Sequence, residues 1–163
     1  MSSSGQLTAH LIRLAAASRT RDSATDYDAF VSYSHQDMER ANLIVTMLGD
    51  AGMRIFQDVR HIHPGESIIG RLCEAMRRIP RAIVLVTENY VASKWARREL
   101  SALLTRHRSG GLLLLPVLLD EIPLPVEIAD IFTVDLRGFR AGADRAWAEP
   151  RVRALVEACQ RGT

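Results

Sequence analysis

The sequence is poor in cysteine and in lysine, and each shortage argues against a class of protein. The 163 residues include 2 cysteines, Cys73 and Cys159, which lie far apart and form no CxxC pair. A disulfide framework or a zinc site is therefore not expected, and a reducing, cytoplasmic setting fits best. Lys94 is the single lysine, so nearly all of the 21 basic residues are arginines, and the chain also has 19 acidic residues. The net charge of +2 provides no basic face that would hold nucleic acid by counterion release.

Long apolar runs are also missing. The longest, Leu112 to Leu119, contains Pro116 and is far shorter than the roughly 18 residues of a membrane-spanning helix. The stretch from Leu7 to Ala17 lacks a basic region before it and is cut by His10 and Arg13, so it does not resemble a signal peptide. With 47% hydrophobic and 25% charged residues, the composition is that of an ordinary globular domain with no membrane partner.

Residues 1–26 differ in character from the rest of the chain. A Ser-rich start is followed by a stripe on one helical face, formed by Leu7, Leu11, Leu14 and Ala15, and then by a polar linker over 20–26. This tail is either a frayed end with one weak helix or a docking helix for a partner or a second copy of the chain. A single folded domain is expected over 27–163.

From Tyr27 onwards, short apolar runs alternate with amphipathic stretches. The predicted strands cover 27–33, 53–56, 82–87, 112–119 and 131–135, and the predicted helices cover 37–51, 66–79, a segment capped by Ser93 and ended by Gly110, and a last helix with Pro150 in its first turn. Fully apolar strands between amphipathic helices predict a parallel sheet covered on both faces. The fold class is therefore α/β, a flavodoxin-like doubly wound five-stranded sheet in the order 2-1-3-4-5.

Ligands of such folds bind beyond the carboxyl ends of the strands, which directs attention to residues 32–37, 57–65 and 88–99. The first of these turns reads SYSHQD and has no glycine, so it cannot form a dinucleotide or P-loop phosphate cradle. The third strand ends in Thr87 rather than in a phospho-acceptor aspartate, and no GxSxG nucleophile motif occurs. His61 and His63 lie two apart with no third ligand nearby, which favours exposed loop histidines over a metal site.

Trp95 and Glu99 remain after these eliminations. They are four residues apart on one predicted helix and therefore share a face, which is offset from the apolar stripe of that helix. Because the helix starts at the ligand edge of the sheet, both residues are expected to border the crevice. Two interpretations are about equally supported by the residues alone. In one, Trp95 is a structural residue at the rim and Glu99 a solvated carboxylate; in the other, both have a functional role.

Four segments of the chain stand out together: YDAFVSYS at 27–34, GMRIFQDVRHIHPG at 52–65, SKWARREL at 93–100 and LLPVLLDEIPLP at 114–125. They resemble the signature segments of TIR (Toll/interleukin-1 receptor) domains, most of all those of bacterial and NAD+-cleaving members. The resemblance extends from Tyr27 to about Gln160, with the segments in the family's order and spacing. It implies the same flavodoxin-like fold as the alternation of strands and helices.

The resemblance implies two functions. One is an NAD+ glycohydrolase or ADP-ribosyl cyclase that releases nicotinamide, acts in immune or antiviral defence signalling and is activated by self-assembly, with NAD+ as substrate and no cofactor. The other is a non-enzymatic module, an adaptor or a host-mimicking effector. Its assembly loop would be formed by His61, Ile62, His63, Pro64 and Gly65. Beyond homotypic assembly, a separate sensor or effector protein is a further candidate partner.

The enzymatic members share a Trp-x-x-x-Glu arrangement, which makes Glu99 the implied catalytic residue and Trp95 the wall of the nicotinamide-ribose pocket. Many members have Cys directly after the tryptophan, where this chain has Ala96. One carboxylate suits the chemistry. The nicotinamide ring of NAD+ is cationic and leaves as a neutral molecule without a general acid, so only the positive charge that develops on the ribosyl group has to be stabilised. The substrate-binding candidates are completed by Asp58, Phe56, Ser34 and His35, for each of which a structural role is at least equally open.

Overall fold

The computed structural model describes residues 27–57, 77–140 and 144–161, except for the side chain of Trp95. Five strands lie in these ranges: β1 (Ala29–Ser32), β2 (Ile55–Gln57), β3 (Arg81–Val86), β4 (Leu113–Leu118) and β5 (Val134–Asp135). They form one sheet in the order β2-β1-β3-β4-β5, and every neighbouring pair is parallel. The predicted fold class and strand order are confirmed.

Four α-helices cover the sheet within the described ranges: α1 (Met38–Asp50), α2 (Glu88–Ala92), α3 (Lys94–Arg108) and α4 (Arg145–Arg161). Their apolar stripes divide between the two faces of the sheet. One buried cluster contains α1 and α4 residues such as Ile44 and Leu155. The other contains Tyr90 of α2 and Leu103 of α3. Because both faces are covered, all six residues of β3 are buried, as the apolar run that starts at Ala82 predicts, and Arg81 at the start of the strand is buried with them.

Local signals set several of the helix ends. The Ser93 hydroxyl accepts a hydrogen bond from Ala96 N at 3.3 Å, so the predicted N-cap of α3 is confirmed. After α1 the chain turns at Gly52, which has a φ of 91°. Glycine adopts this positive φ without the steric penalty that a Cβ would bring. The short helix α2, which the sequence reading did not predict, is capped by the Thr87 hydroxyl, which accepts from Tyr90 N at 3.0 Å.

The prediction for the last helix is wrong at its start. The helix begins at Arg145, and Pro150 lies inside it rather than in its first turn. Proline lacks the N–H that would bond to the Ala146 carbonyl, but both residues are exposed, so the unpaired carbonyl faces the outside of the protein. Packing of Ala148 and Val152 against the core extends the helix through the proline.

The fifth strand is shorter than predicted. Only Val134 and Asp135 pair with β4, opposite Val117 and Leu118. The residues before them form a local turn instead. In it, Ile131 N donates to Ile128 O at 3.0 Å, and the Thr133 hydroxyl donates to Ile131 O. These backbone groups therefore do not extend the sheet.

Several predictions fall outside the described residues. They are the tail over 1–26, the loop over 58–65, and the helix over 66–79 apart from its last residues. Within the described residues, none of the helices combines the length and the apolar character needed to cross a membrane.

Candidate functional site

The carboxyl ends of β1, β3 and β4 meet at one edge of the sheet, where an unexpected set of polar side chains is joined by hydrogen bonds. We call it the edge network and define it as Asp37, Arg40, Thr87, Asn89 and Asp120. Asp37 lies in a short 3-10 turn after β1, Arg40 in the first turn of α1, Thr87 and Asn89 after β3, and Asp120 after β4. The edge network therefore joins the segments that follow three neighbouring strands, β1, β3 and β4.

Asp37 is the buried centre of the edge network, with 4% of its surface exposed. Its carboxylate accepts hydrogen bonds from the Thr87 hydroxyl at 2.5 Å, from Arg40 Nη2 at 2.8 Å and from Asn89 Nδ2 at 3.0 Å. A buried carboxylate is tolerated only when its charge is paired and its lone pairs are satisfied. These three donors meet both conditions, so Asp37 fixes the turn after β1 to the end of β3.

Arg40 connects Asp37 to Asp120. Its Nη1 donates to Asp120 Oδ1 at 2.7 Å, and the second carboxylate oxygen of Asp120 accepts from Glu88 N, the first residue of α2, at 2.9 Å. The Arg40 guanidinium, hydrogen-bonded to Asp120, lowers the pKa of that carboxyl, and the same hydrogen bond raises the pKa of Arg40. Both groups therefore stay charged at neutral pH.

On the α2–α3 side of the same edge, the last residue of β1 contacts α2. The Ser32 hydroxyl lies 3.2 Å from the Tyr90 hydroxyl, and both residues are buried. Phe56 of β2 packs against the buried cluster on this side of the sheet, which also contains Ala96 and Leu100 of α3. Its ring meets Tyr27 edge to face, with the ring centroids 5.3 Å apart.

Glu99 lies in the second turn of α3 and is 4% exposed. It is flanked in the sequence by the exposed Arg98 and the buried Leu100. The helix begins near the carboxyl edge and runs back to the amino edge, where Leu113 N bonds to Pro80 O at 2.8 Å. The expectation of a merely solvated carboxylate is therefore not met, because the side chain is buried.

The other predicted site residues differ in their burial, and some lie outside the described residues. Trp95 is in the first turn of α3, and Phe56 is half-buried on the same side of the sheet as that helix. Ser34 is half-buried, and its carbonyl accepts from Asp37 N at 2.8 Å, whereas His35 is exposed in the 3-10 turn. Asp58 and the loop at 61–65 lie outside the described residues.

The sequence reading missed the edge network, although two signals pointed to it. Asp120 directly follows the apolar run of β4, and Asp37 ends the polar turn after β1. A charged residue at the carboxyl end of a buried strand is a candidate for the ligand edge of such a sheet. Arg40 gives no such signal, because its place in the network depends on two partners on other elements.

Three curated relatives match parts of the chain. The TMV resistance protein N of Nicotiana glutinosa is 30% identical over 109 residues, 66% of this chain and 10% of that protein. A human Toll/interleukin-1 receptor domain-containing adapter protein is 28% identical over 69% of this chain and 53% of its own length. A protein of Brucella melitensis named "Probable 2' cyclic ADP-D-ribose synthase TcpB" is 28% identical over 62% of this chain and 41% of its own length. The chain thus spans about half or less of these relatives.

Solved structures agree on the fold. The TIR domain of a Toll-related receptor of Hydra magnipapillata superposes with a TM-score of 0.63, covering 82% of this chain and 98% of that domain at 20% identity. The family model described as TIR domain matches residues 29–149, most of the chain, and includes β1 to β5 and the edge network. The chain therefore belongs to the TIR domain family.

Proposed function

We propose that this TIR domain cleaves NAD+ between nicotinamide and ribose, with Glu99 as its catalytic residue. The observation that carries the proposal is the burial of the Glu99 carboxylate, 4% exposed, near the start of a helix that begins at the ligand edge. Withdrawing a carboxylate from water is unfavourable, and a glutamate is rarely found fully buried. The name of the Brucella relative supports the same reaction class.

The reaction requires little acid-base chemistry. The bond between ribosyl C1′ and the nicotinamide nitrogen breaks, and its electron pair neutralises the pyridinium ring, which leaves as nicotinamide. The positive charge remains on the ribosyl group and is stabilised by the Glu99 carboxylate, which also accepts hydrogen bonds from the ribose hydroxyls. Attack by water gives ADP-ribose and a proton, whereas attack by an atom of the adenosine half gives a cyclic product.

The remaining site residues have proposed binding roles. Trp95 would wall the nicotinamide-ribose pocket, and the rest would be lined by Phe56 and Asp58 at the end of β2 and by Ser34 and His35 after β1. Phe56 and helix α3 lie on the same side of the sheet, which supports this grouping. We place the reaction in cytoplasmic defence signalling, in line with the plant resistance protein among the relatives.

The test is nicotinamide release from NAD+ by the purified full chain, followed by chromatography and mass analysis of the other product. We expect Glu99→Gln to lower the rate by on the order of 100-fold or more, since it removes the charge and keeps the shape. The matched control is Glu39→Gln, an exposed glutamate of α1, which should keep the full rate. Wild-type turnover in a folded Glu99→Gln protein would reject Glu99 as the catalytic residue.

Self-assembly belongs to the same proposal. The rate per molecule should rise with protein concentration, together with the oligomer measured by light scattering. A constant rate in a monomeric protein would contradict an assembly requirement while leaving the reaction itself in place.

A second candidate is a non-enzymatic interaction module, which the human adapter relative favours. It predicts no turnover at any protein concentration, and loss of partner binding when Pro64 or His61 of the proposed assembly loop is replaced. Nicotinamide release that depends on Glu99 would decide against this alternative.

A further inference from the structure

The outward face of α4 carries a groove of about 240 Å³ that the site does not use. Its floor is formed by Ala146, Pro150 and Ala154, which recur every four residues and therefore lie on one line along the helix. One rim is formed by Glu149, Arg153 and Glu157. Small side chains between longer ones leave a channel whose floor is about 12 Å long and whose lining, from Ala146 to Glu157, spans about 17 Å at a rise of 1.5 Å per residue.

The other side of the groove carries an exposed aromatic residue. Trp147 is 42% exposed and lies, by helical spacing, on the side of the floor opposite Glu149. The Arg151 guanidinium lies 4.1 Å from the centroid of its ring and donates to the Trp147 carbonyl at 3.0 Å. The indole is therefore held in place beside the groove while remaining accessible.

The groove also offers a hydrogen-bond acceptor. Pro150 lies inside the helix and has no N–H, so the Ala146 carbonyl lacks the donor that an α-helix normally supplies four residues later. Both residues belong to the groove floor. With the apolar floor, this carbonyl makes the groove suited to a segment that carries apolar side chains and a hydrogen-bond donor.

The described chain begins close to the carboxyl-terminal end of α4. Ala29 of β1 and Cys159 of α4 belong to the same buried cluster. Burial raises the pKa of the Cys159 thiol to about 11, and the charges of Arg81 and Asp28 also act on it. The 26 residues that precede Tyr27 in the sequence thus join the domain beside the helix that carries the groove.

We propose that the groove on α4 binds residues 7–17 of the same chain as an amphipathic helix. The stripe of Leu7, Leu11 and Leu14 would face the floor, and about 15 Å of helix would match the length of the channel. The connection over 18–26 extends to about 30 Å, which exceeds the roughly 20 Å of α4 between Cys159 and Ala146 at the far end of the groove. Residues 7–17 contain Arg13 and no acidic residue, and the charges around the groove balance, with Glu149 and Glu157 against Arg151 and Arg153, so the apolar stripe rather than charge supports this occupant.

The proposal is tested by site-specific photo-crosslinking in the full chain, with p-benzoylphenylalanine in place of Ala154 and, in a second protein, in place of Trp147. We expect irradiation to join either position to residues 7–17, as mapped by mass spectrometry. Mixing isotopically labelled and unlabelled chains separates links within one chain from links between two. A probe at Asn42, on the exposed side of α1, should give no such link.

Two matched double variants are compared, each of which places two negative charges on one face of the expected helix over 7–17. Leu11→Asp with Leu14→Asp should reduce the cross-link at least tenfold, whereas Ala9→Asp with Ala16→Asp, on the opposite face of the expected helix, should retain it. Links only between chains, or links to α4 of a second copy, would show that the groove is an interface between copies and overturn the proposal. Absence of links from both probe positions, or links unchanged by the leucine replacements, would overturn it as well. Thermal unfolding of each variant confirms that the domain remains folded.

Discussion

Arg40 and Asp120, 80 positions apart in the chain, are joined at the carboxyl edge of the sheet by a hydrogen bond of 2.7 Å between Nη1 and Oδ1. Both side chains are largely shielded from water, and Arg40 simultaneously pairs with the buried Asp37. The ends of β1 and β4 are thereby tied together through α1. This contact links the stability of the domain to the geometry of the edge where we place the substrate.

Replacement of Arg40 by leucine should destabilise the domain by about 3 kcal/mol, because it leaves the buried Asp37 without its cation. The matched control is Arg54→Leu, which removes an ion pair with Asp28 at 3.6 Å between far more exposed side chains. That loss should stay under about 1 kcal/mol. Urea unfolding at pH 7 measures both, and equal losses in the two variants would contradict the special position of Arg40.

The contribution of Asp120 should disappear in acid. Its pKa is lowered in the folded protein, chiefly by the hydrogen bond from Arg40, relative to an ordinary aspartate at 3.8. A depressed pKa stabilises the folded state above the unfolded value and stops doing so as the pH falls through the folded value. The free energy of unfolding should therefore differ between wild type and Asp120→Asn above about pH 5, and the difference should shrink below about pH 4.

Urea unfolding of both proteins from pH 7 to pH 2.5 checks this dependence. Asp130→Asn, an exposed aspartate of the same connection, serves as the control and should follow the wild-type curve. A difference for Asp120→Asn that persists unchanged at the lowest pH would show that the charge of Asp120 is not the source of the stability.

The N-cap of α3 should have a measurable effect because the helix carries Trp95 and Glu99 in its first two turns. Ser93→Ala removes the acceptor of the Ala96 N–H and should lower the free energy of unfolding by about 1 kcal/mol. Ser101→Ala, at an exposed position inside the same helix, should be neutral or slightly stabilising because alanine is the better helix former. A loss as large for Ser101→Ala would argue against capping as the cause.

Two nearby glycines should respond to alanine in opposite directions. A Cβ at Gly49, inside α1, or at Gly52, just after it, meets no atom within 4 Å, so space does not distinguish them. Gly49→Ala should stabilise the protein by about 0.5–1 kcal/mol, whereas Gly52→Ala should destabilise it by about 1 kcal/mol because its φ is 91°. The shift of the thermal midpoint gives the sign of each change, and a stabilising Gly52→Ala would contradict the positive φ.

The local pattern of the sequence determined most of the fold. The apolar runs at β3 and β4, the existence of α1 and α3 and the cap at Ser93 each follow from the spacing of a few neighbouring residues, and these features are confirmed. The alternation of such elements leaves few topologies open, because parallel crossovers are right-handed. The spacing of Trp95 and Glu99, four residues apart on one helix, likewise identified the start of α3 as a candidate site. The functional roles of the two residues remain predictions.

Only the tertiary structure decided which polar groups meet. Asp37, Arg40 and Asp120 come together because the sheet order places β4 two strands from β1, a relation that no local spacing expresses. The burial of Glu99 and the continuation of α4 through Pro150 likewise depend on packing against the rest of the domain. Periodicity shows which side of a helix is apolar, but the environment of a charged residue is set by elements distant in the chain.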